Sequence, residues 1–242
     1  FKTYLNDNDE IRSLVYFAEY DAIKNNYLKY KESMLTENGI HFNGKQIKGN
    51  DLSEMYRDLI KQDDFATAIE IKNIKTEKSP VGKHNEFGRS GGNHTSKKRM
   101  SEKRKKQIGF IGEVLVYKTL KECYEVVSWD SGYAKEVNEN PAGDDMNHYD
   151  IRYKKDDEYY YVEVKSTTTD NLEFEISKQE FEFGKEKKNN YEIFIVTNVE
   201  SQKREIKNIG NPFIFVEGES LMNCPRFTVL NDTFTIKMKE KK

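Results

Sequence analysis

The sequence predicts an α/β domain behind a small helical N-terminal region. Three observations carry that prediction. Residues 107–124 place Ile108, Ile111, Leu115 and Leu120 at helical spacing. The stretch "YYYVEVKSTTT", residues 159–169, is rich in aromatic and β-branched residues and alternates as a strand does. The stretch "YEIFIVTNV", residues 191–199, is nearly continuous in apolar residues, as a strand buried on both faces requires.

Taken in order, residues 8–36 read as a helix, with Asn8 or Asp9 as cap and a stripe of Leu14, Phe17, Ala18, Ala22 and Leu28. A glycine-punctuated connection, 37–51, leads to a second expected helix over 52–73, with Leu52, Met55, Leu59 and Ile60 on one side. No catalytic pattern stands in residues 1–75, whose expected role is packing, partner or oligomer contact, or DNA contact. Residues 76–106 read as a flexible linker, glycine- and serine-rich, that ends in "KKRMSEKRKK". Clustered positive charge of this kind is either a solvated face or an arm for phosphates, through Lys97, Lys98, Arg99, Lys103, Arg104, Lys105 and Lys106. His84 and His94 lie ten residues apart in the same stretch, a poor basis for an ordered metal site.

Residues 107–242 form the compact part. After the helix at 107–124, a loop over 128–146 carries Gly132, Pro141 and Gly143. Strands are expected at 149–154, 158–167 and 172–176. A helix then opens at Ser177, with Glu180 in capping-box spacing. The apolar run at 191–199 is followed by strands expected at 212–216 and 227–237.

Composition narrows the class. Hydrophobic residues at 36% allow a core, while charged residues at 34% and a net charge of −2 give no global preference for a polyanion. Cys123 and Cys224 have no zinc-like spacing and read as two reduced thiols, which favours the cytoplasm. No apolar run is long enough to span a bilayer, and no signal peptide is visible. A chain that begins at Phe1 suggests a fragment of something longer.

The chemistry gathers on the tyrosine-rich strand. Tyr159, Tyr161, Glu163 and Lys165 point one way; Tyr160, Val162 and Val164 point into a core. If Asp156 and Asp157 form a two-residue turn, antiparallel pairing sets Asp150 opposite Glu163, with Cβ atoms ~4.5–5.5 Å apart. Two carboxylates so placed repel unless a cation lies between them, and a hard divalent ion such as Mg²⁺ suits oxygen ligands of this kind. Lys165, one pleat along, would place or deprotonate a water, or offset charge developing on a phosphate. An E-x-K alone is ordinary on a solvated strand; it is Asp150 in register that makes it a site for metal-assisted phosphodiester hydrolysis. Glu180 reads first as a capping partner, His148 as a loop residue, Trp129 as a core anchor and Tyr191 as the start of a core strand.

Asp150 followed by Glu163-Val164-Lys165 resembles the PD-(D/E)xK nuclease superfamily, with Tyr149 where the superfamily's name has proline. The upstream "IGFIGE" is similar to the glycine–glutamate helix of its Mrr-like and resolvase-like branches. The combination "GFIGEVLVYKTL", "YDI", "YYYVEVKST" and "FEISKQEFEFGKEKKNNYEIFIV" resembles the NO VEIN carboxy-terminal domain, over roughly residues 107–199. The resemblance implies a restriction-endonuclease-like mixed β-sheet core flanked by helices. It implies catalytic residues Asp150, Glu163, Lys165 and Glu113, with the metal held by Asp150, Glu163, the Val164 carbonyl and Glu113. It further implies Mg²⁺, with Mn²⁺ substituting, and DNA as substrate. An ATPase or helicase module in the same or another chain and a bacterial defence setting complete what it implies; a homodimer is a separate expectation, from the reading of residues 1–75 as an oligomer contact.

Overall fold

A computed structural model describes residues 41–42, 45–47, 51–61, 69–74, 100–216, 227–229 and 235–238. The helix expected over 8–36, His84, His94, Lys97, Lys98, Arg99 and Cys224 lie outside the described residues.

A short hairpin, β1 (His41–Phe42) with β2 (Lys45–Gln46), precedes helix α1 (Leu52–Ile60). Asp51 caps α1 by accepting a hydrogen bond from the Glu54 N–H. The helix expected to run to 73 stops here: Ile71–Asn73 is a strand, β3, in parallel pairing with β9 (Glu205–Asn208). Its register was invisible locally, since three residues gain a strand conformation only from the partner they meet.

Helix α2 spans Glu102–Cys123, with Ser101 as its cap. It begins five residues before the expected start, so Lys103, Arg104, Lys105 and Lys106 ride on its first turns instead of a linker. Its middle is buried nearly all round, from Ile108 through Leu120. At Gly112 the helix comes so close to the strand Glu158–Ser166 (β6) that an added Cβ would collide with Ser166 Oγ and Cβ. That close approach sets α2 on the centre of the sheet.

After α2 come β4 (Val127–Trp129), a short helix α3 (Gly132–Glu136), β5 (Ile151–Lys155) and β6 (Glu158–Ser166). The loop expected over 128–146 therefore contains a strand end and a helix. The β5–β6 hairpin has the expected register, with Ile151 opposite Val162 and Lys155 opposite Glu158. Asp156 and Asp157 turn the chain, with φ of 50° and 64°; two left-handed residues match the right-handed twist of the strands.

β7 (Glu173–Glu175) leaves for a second sheet of order β10–β11–β7, formed with β10 (Phe227–Val229) and β11 (Thr235–Met238). Helix α4 (Lys178–Lys187) opens with the expected capping box of Ser177 and Glu180. It returns the chain to β8 (Tyr191–Thr197), parallel to β6, as a parallel pair requires. Residues 212–215, expected as a strand, are one turn of 3₁₀ helix with Pro212 at its start and Asn211 as cap. Proline has no N–H for a ladder but fits a helical first turn.

The main sheet has the order β3–β9–β8–β6–β5–β4 and is mixed, with helices on both faces, consistent with a restriction-endonuclease-like core. On the α2 face, Trp129 lies among Tyr56, Phe110 and Tyr117 at ring separations of 6.1, 6.0 and 5.4 Å. Leu52, Met55 and Leu59 of α1 join the same core as Ile108, Val114 and Val162. On the α4 face, Phe181, Tyr191, Ile193, Ile195 and Phe213 form a second core. No helix among the described residues is long and apolar enough to cross a membrane.

Candidate active site

The site is built where β5 begins and β6 ends. Asp150 stands just before β5, and its backbone is fixed from both sides. Its N–H donates to the Val162 carbonyl (2.9 Å), and its own carbonyl accepts from the N–H groups of Asp130 (2.8 Å) and Ser131 (3.1 Å). Its Oδ2 accepts a further hydrogen bond from the Val164 N–H at 2.7 Å. The carboxylate is thereby locked to β6, and Asp150 keeps part of its surface open.

Glu163 follows two residues after Tyr161 on the same face and is 5% exposed. Its Oε1 lies 2.7 Å from Lys165 Nζ. The same ammonium reaches Glu180 Oε1 on α4 at 3.2 Å. Glu180 thus has two tasks, because its Oε2 also accepts the Ser177 N–H at 2.7 Å. The Ser-x-x-Glu spacing signalled only the cap; the second contact exists because α4 lies over β6.

Glu113 enters from α2, one residue after the glycine that allows the close approach. Its Oε2 accepts from Trp129 Nε1 (2.8 Å) and from Ser131 Oγ (2.5 Å). Ser131 was not singled out in the sequence; its position follows from the two backbone hydrogen bonds that tie residues 130–131 to Asp150. Trp129 is the core anchor expected of it, and it is also a donor to an acid.

Burial governs the electrostatics. It raises the Glu113 carboxyl to about 8, against the lowering effect of its Ser131 and Trp129 hydrogen bonds. Burial also pushes Asp150 up, helped by the charge of Glu113 and opposed by the Val164 N–H and Lys165. Glu163 is raised by burial and then by Asp150, with Lys165 opposing. Burial alone would lower Lys165, but Glu163 and Glu180 outweigh it and raise the amine, which stays an ammonium. Glu180 is net lowered, because Lys165 and the Ser177 N–H overcome its burial.

The sequence-predicted residues are thus partly assembled. Asp150, Glu163 and Lys165 share one end of the β5–β6 pair, and Glu113 is near enough to raise the carboxyl of Asp150 while its own is turned to Trp129 and Ser131. Among the described residues, no three His, Cys, Asp or Glu side chains stand together closely enough to hold an ion by themselves. The basic residues on α2 are largely answered by acids: Arg104 by Glu200 (2.5 Å), Lys105 by Glu102 (3.0 Å) and Lys106 by Glu136 (2.9 Å). His148, in the left-handed region at φ 60°, sets its ring edge-on to Phe183 at 6.3 Å.

A family model described as "Protein NO VEIN, C-terminal" matches residues 112–209. This stretch is similar to the NO VEIN C-terminal domain. The match opens at the glycine that seats α2 on β6 and closes just past β9, so it contains every acid of the site. The PD-(D/E)xK resemblance of its Asp150, Glu163 and Lys165 is consistent with that match. Comparisons with curated proteins and with solved structures gave no significant match.

Proposed function

We propose that this NO VEIN-like domain is a Mg²⁺-dependent endonuclease that hydrolyses DNA phosphodiester bonds. One observation carries this reading: the partly open Asp150, tied to β6 through the Val164 N–H, and the buried Glu163 stand at one end of the β5–β6 pair beside a lysine held as an ammonium. Four carboxyl groups gather around one lysine, and hard oxygen donors of this type fit a divalent cation, whose charge would favour their ionised forms. Asp150 and Glu163 would hold the ion, with the Val164 carbonyl and Glu113 as further donors. When bound, the metal would activate water and polarise the phosphate.

The chain's own groups divide the remaining work. The Val164 N–H fixes the Asp150 carboxylate so that it does not rotate away from Glu163. Lys165, kept cationic by Glu163 and Glu180, suits the task of offsetting phosphate charge and does not suit that of a base. Glu180 holds Lys165 in place from α4, and Trp129 and Ser131 hold Glu113. Lys97, Lys98, Arg99 and Lys103 to Lys106 are proposed to contact phosphates, those on α2 by exchanging their acidic partners for DNA.

The setting we infer is a bacterial defence or restriction protein, working in the cytoplasm with an ATPase or helicase module in the same or another chain, with a homodimer as one arrangement. The support for this is the family resemblance alone.

The test incubates the full chain with plasmid DNA and Mg²⁺ or Mn²⁺. Cleavage is expected, and is expected to vanish in Asp150→Ala and Lys165→Ala; cleavage unchanged in either variant refutes the assignment. A second reading is a catalytically silent module that binds nucleic acid or a protein. The engagement of Glu113 by Trp129 and Ser131, and of Glu163 by Lys165, favours it. Calorimetry separates the two, since a silent module takes up no Mg²⁺ or Mn²⁺ in an Asp150-dependent way.

A further inference from the structure

Tyr191 opens β8 on the face that carries Glu163 and Lys165, and it is opposite Tyr161 in the parallel register. Its side chain is fully buried. The ring passes under α4 at Gly184, where an added Cβ would come within 2.9 Å of Cδ1 and 3.0 Å of Cε1. Gly184 lies four residues after Glu180, on the same face of the helix. Asn211 fixes this part of α4 by donating to the Gly184 carbonyl at 2.6 Å.

The hydroxyl at the end of this ring has no hydrogen-bond partner among the described residues. A buried phenol left unpartnered is costly and calls for an explanation. The charged groups that act on it are Glu163, Glu180 and Asp150, and with burial they push its hydroxyl up, so it remains a donor. Those acceptors are presently served by others: Glu163 and Glu180 by Lys165, Asp150 by the Val164 N–H.

The geometry points to Tyr191 as a positioning residue, whose hydroxyl donates to the Glu163 or Glu180 carboxylate when Lys165 turns away from it toward a bound phosphate. The unpartnered state is then the resting half of an exchange of donors. Gly184 supplies the room that brings the ring under the helix, and the absence of a resting partner leaves the hydroxyl free to move. The inference rests on the reading of Lys165 and the carboxylates as a site, but its first test requires neither metal nor cleavage.

The experiment is a double-mutant cycle on the full chain, read by thermal unfolding, with wild type, Tyr191→Phe, Lys165→Gln and the double variant. Tyr191→Phe alone is expected to leave the midpoint unchanged or higher, because it removes only an unsatisfied group. With Lys165→Gln the carboxylates are released to the phenol, so the same substitution is expected to lower the midpoint by about 4 °C. Equal effects in the two backgrounds overturn the proposal, whether or not the chain cuts DNA. If Lys165→Gln does not fold, Mn²⁺ titration of Tyr191→Phe decides. A loss of about 10–100-fold in affinity supports the role, and a titration like that of the wild type, or the lack of any binding to either, refutes it.

Discussion

Glu113 and Glu163 are both buried glutamates of one site, each 5% exposed, yet their surroundings answer them differently. Glu113 is met by two neutral donors, the Trp129 indole and the Ser131 hydroxyl. Glu163 is met by a cation that it shares with Glu180. Neutral donors do not offset the cost of burying a charge, so Glu113 holds its proton to about 8. Lys165 opposes the rise at Glu163, but burial and the Asp150 charge outweigh it and still push that carboxyl up. One end of the site is therefore held by neutral donors, while the other is tied to a cation that can be exchanged.

The largest effect is expected from Lys165→Ala, which leaves Glu163 and Glu180 without their cation. Urea unfolding at pH 8 should show a loss of about 3–5 kcal/mol, shrinking at pH 5 as the carboxylates protonate. A loss independent of pH would erase the contrast between the two ends.

Gly112→Ala comes next, because the added Cβ meets Ser166. Overpacking of this kind costs about 1–3 kcal/mol, and Ser166→Ala in the same chain should recover part of it. Failure to recover would mean that α2 shifts as a body and carries Glu113 with it.

Glu113→Gln isolates the neutral end, since the amide oxygen can keep both hydrogen bonds. In the unfolded chain this carboxyl loses its proton near 4.5, and in the fold near 8. The stability its protonated form contributes is complete below the lower value and is lost as pH rises through the upper one. Thermal midpoints measured from pH 4.5 to 8 should therefore fall in the wild type, and fall less in the variant. Asp150 and Glu163, also raised, keep a residual slope of the same sign.

The smallest effect is expected from Ser177→Ala, which removes a helix cap worth about 1 kcal/mol. It keeps the Ser177 N–H and thus the hold on Glu180. Circular dichroism melting should register the cap, with Mn²⁺ affinity left unchanged.

Several parts of this site were legible in the chain. The pair Asp156–Asp157 implied a two-residue turn, and that turn implied the register from Ile151 opposite Val162 to Lys155 opposite Glu158. The alternation of Val162 and Val164 against Glu163 and Lys165 implied which side faced the core. The Ser177–Glu180 spacing implied the start of α4. Each of these depends on neighbours a few residues apart, or on a short hairpin, where local geometry suffices.

Other parts were not legible. Residues 71–73 are a strand only because β9 lies beside them, and 212–215 turn into a 3₁₀ helix because proline and the Asn211 cap outweigh an apolar pattern. The sequence by itself determined the two acids and the lysine of β5–β6, the helix that bears Glu113 and the cap at Ser177. Only the tertiary structure decided that Glu113 would face Trp129 and Ser131, that Glu180 would share Lys165, and that the Tyr191 hydroxyl would be left without a partner among the described residues. The reason is physical: a carboxyl's partner and its affinity for a proton depend on burial and on groups brought from distant segments, and a single chain stretch contains neither.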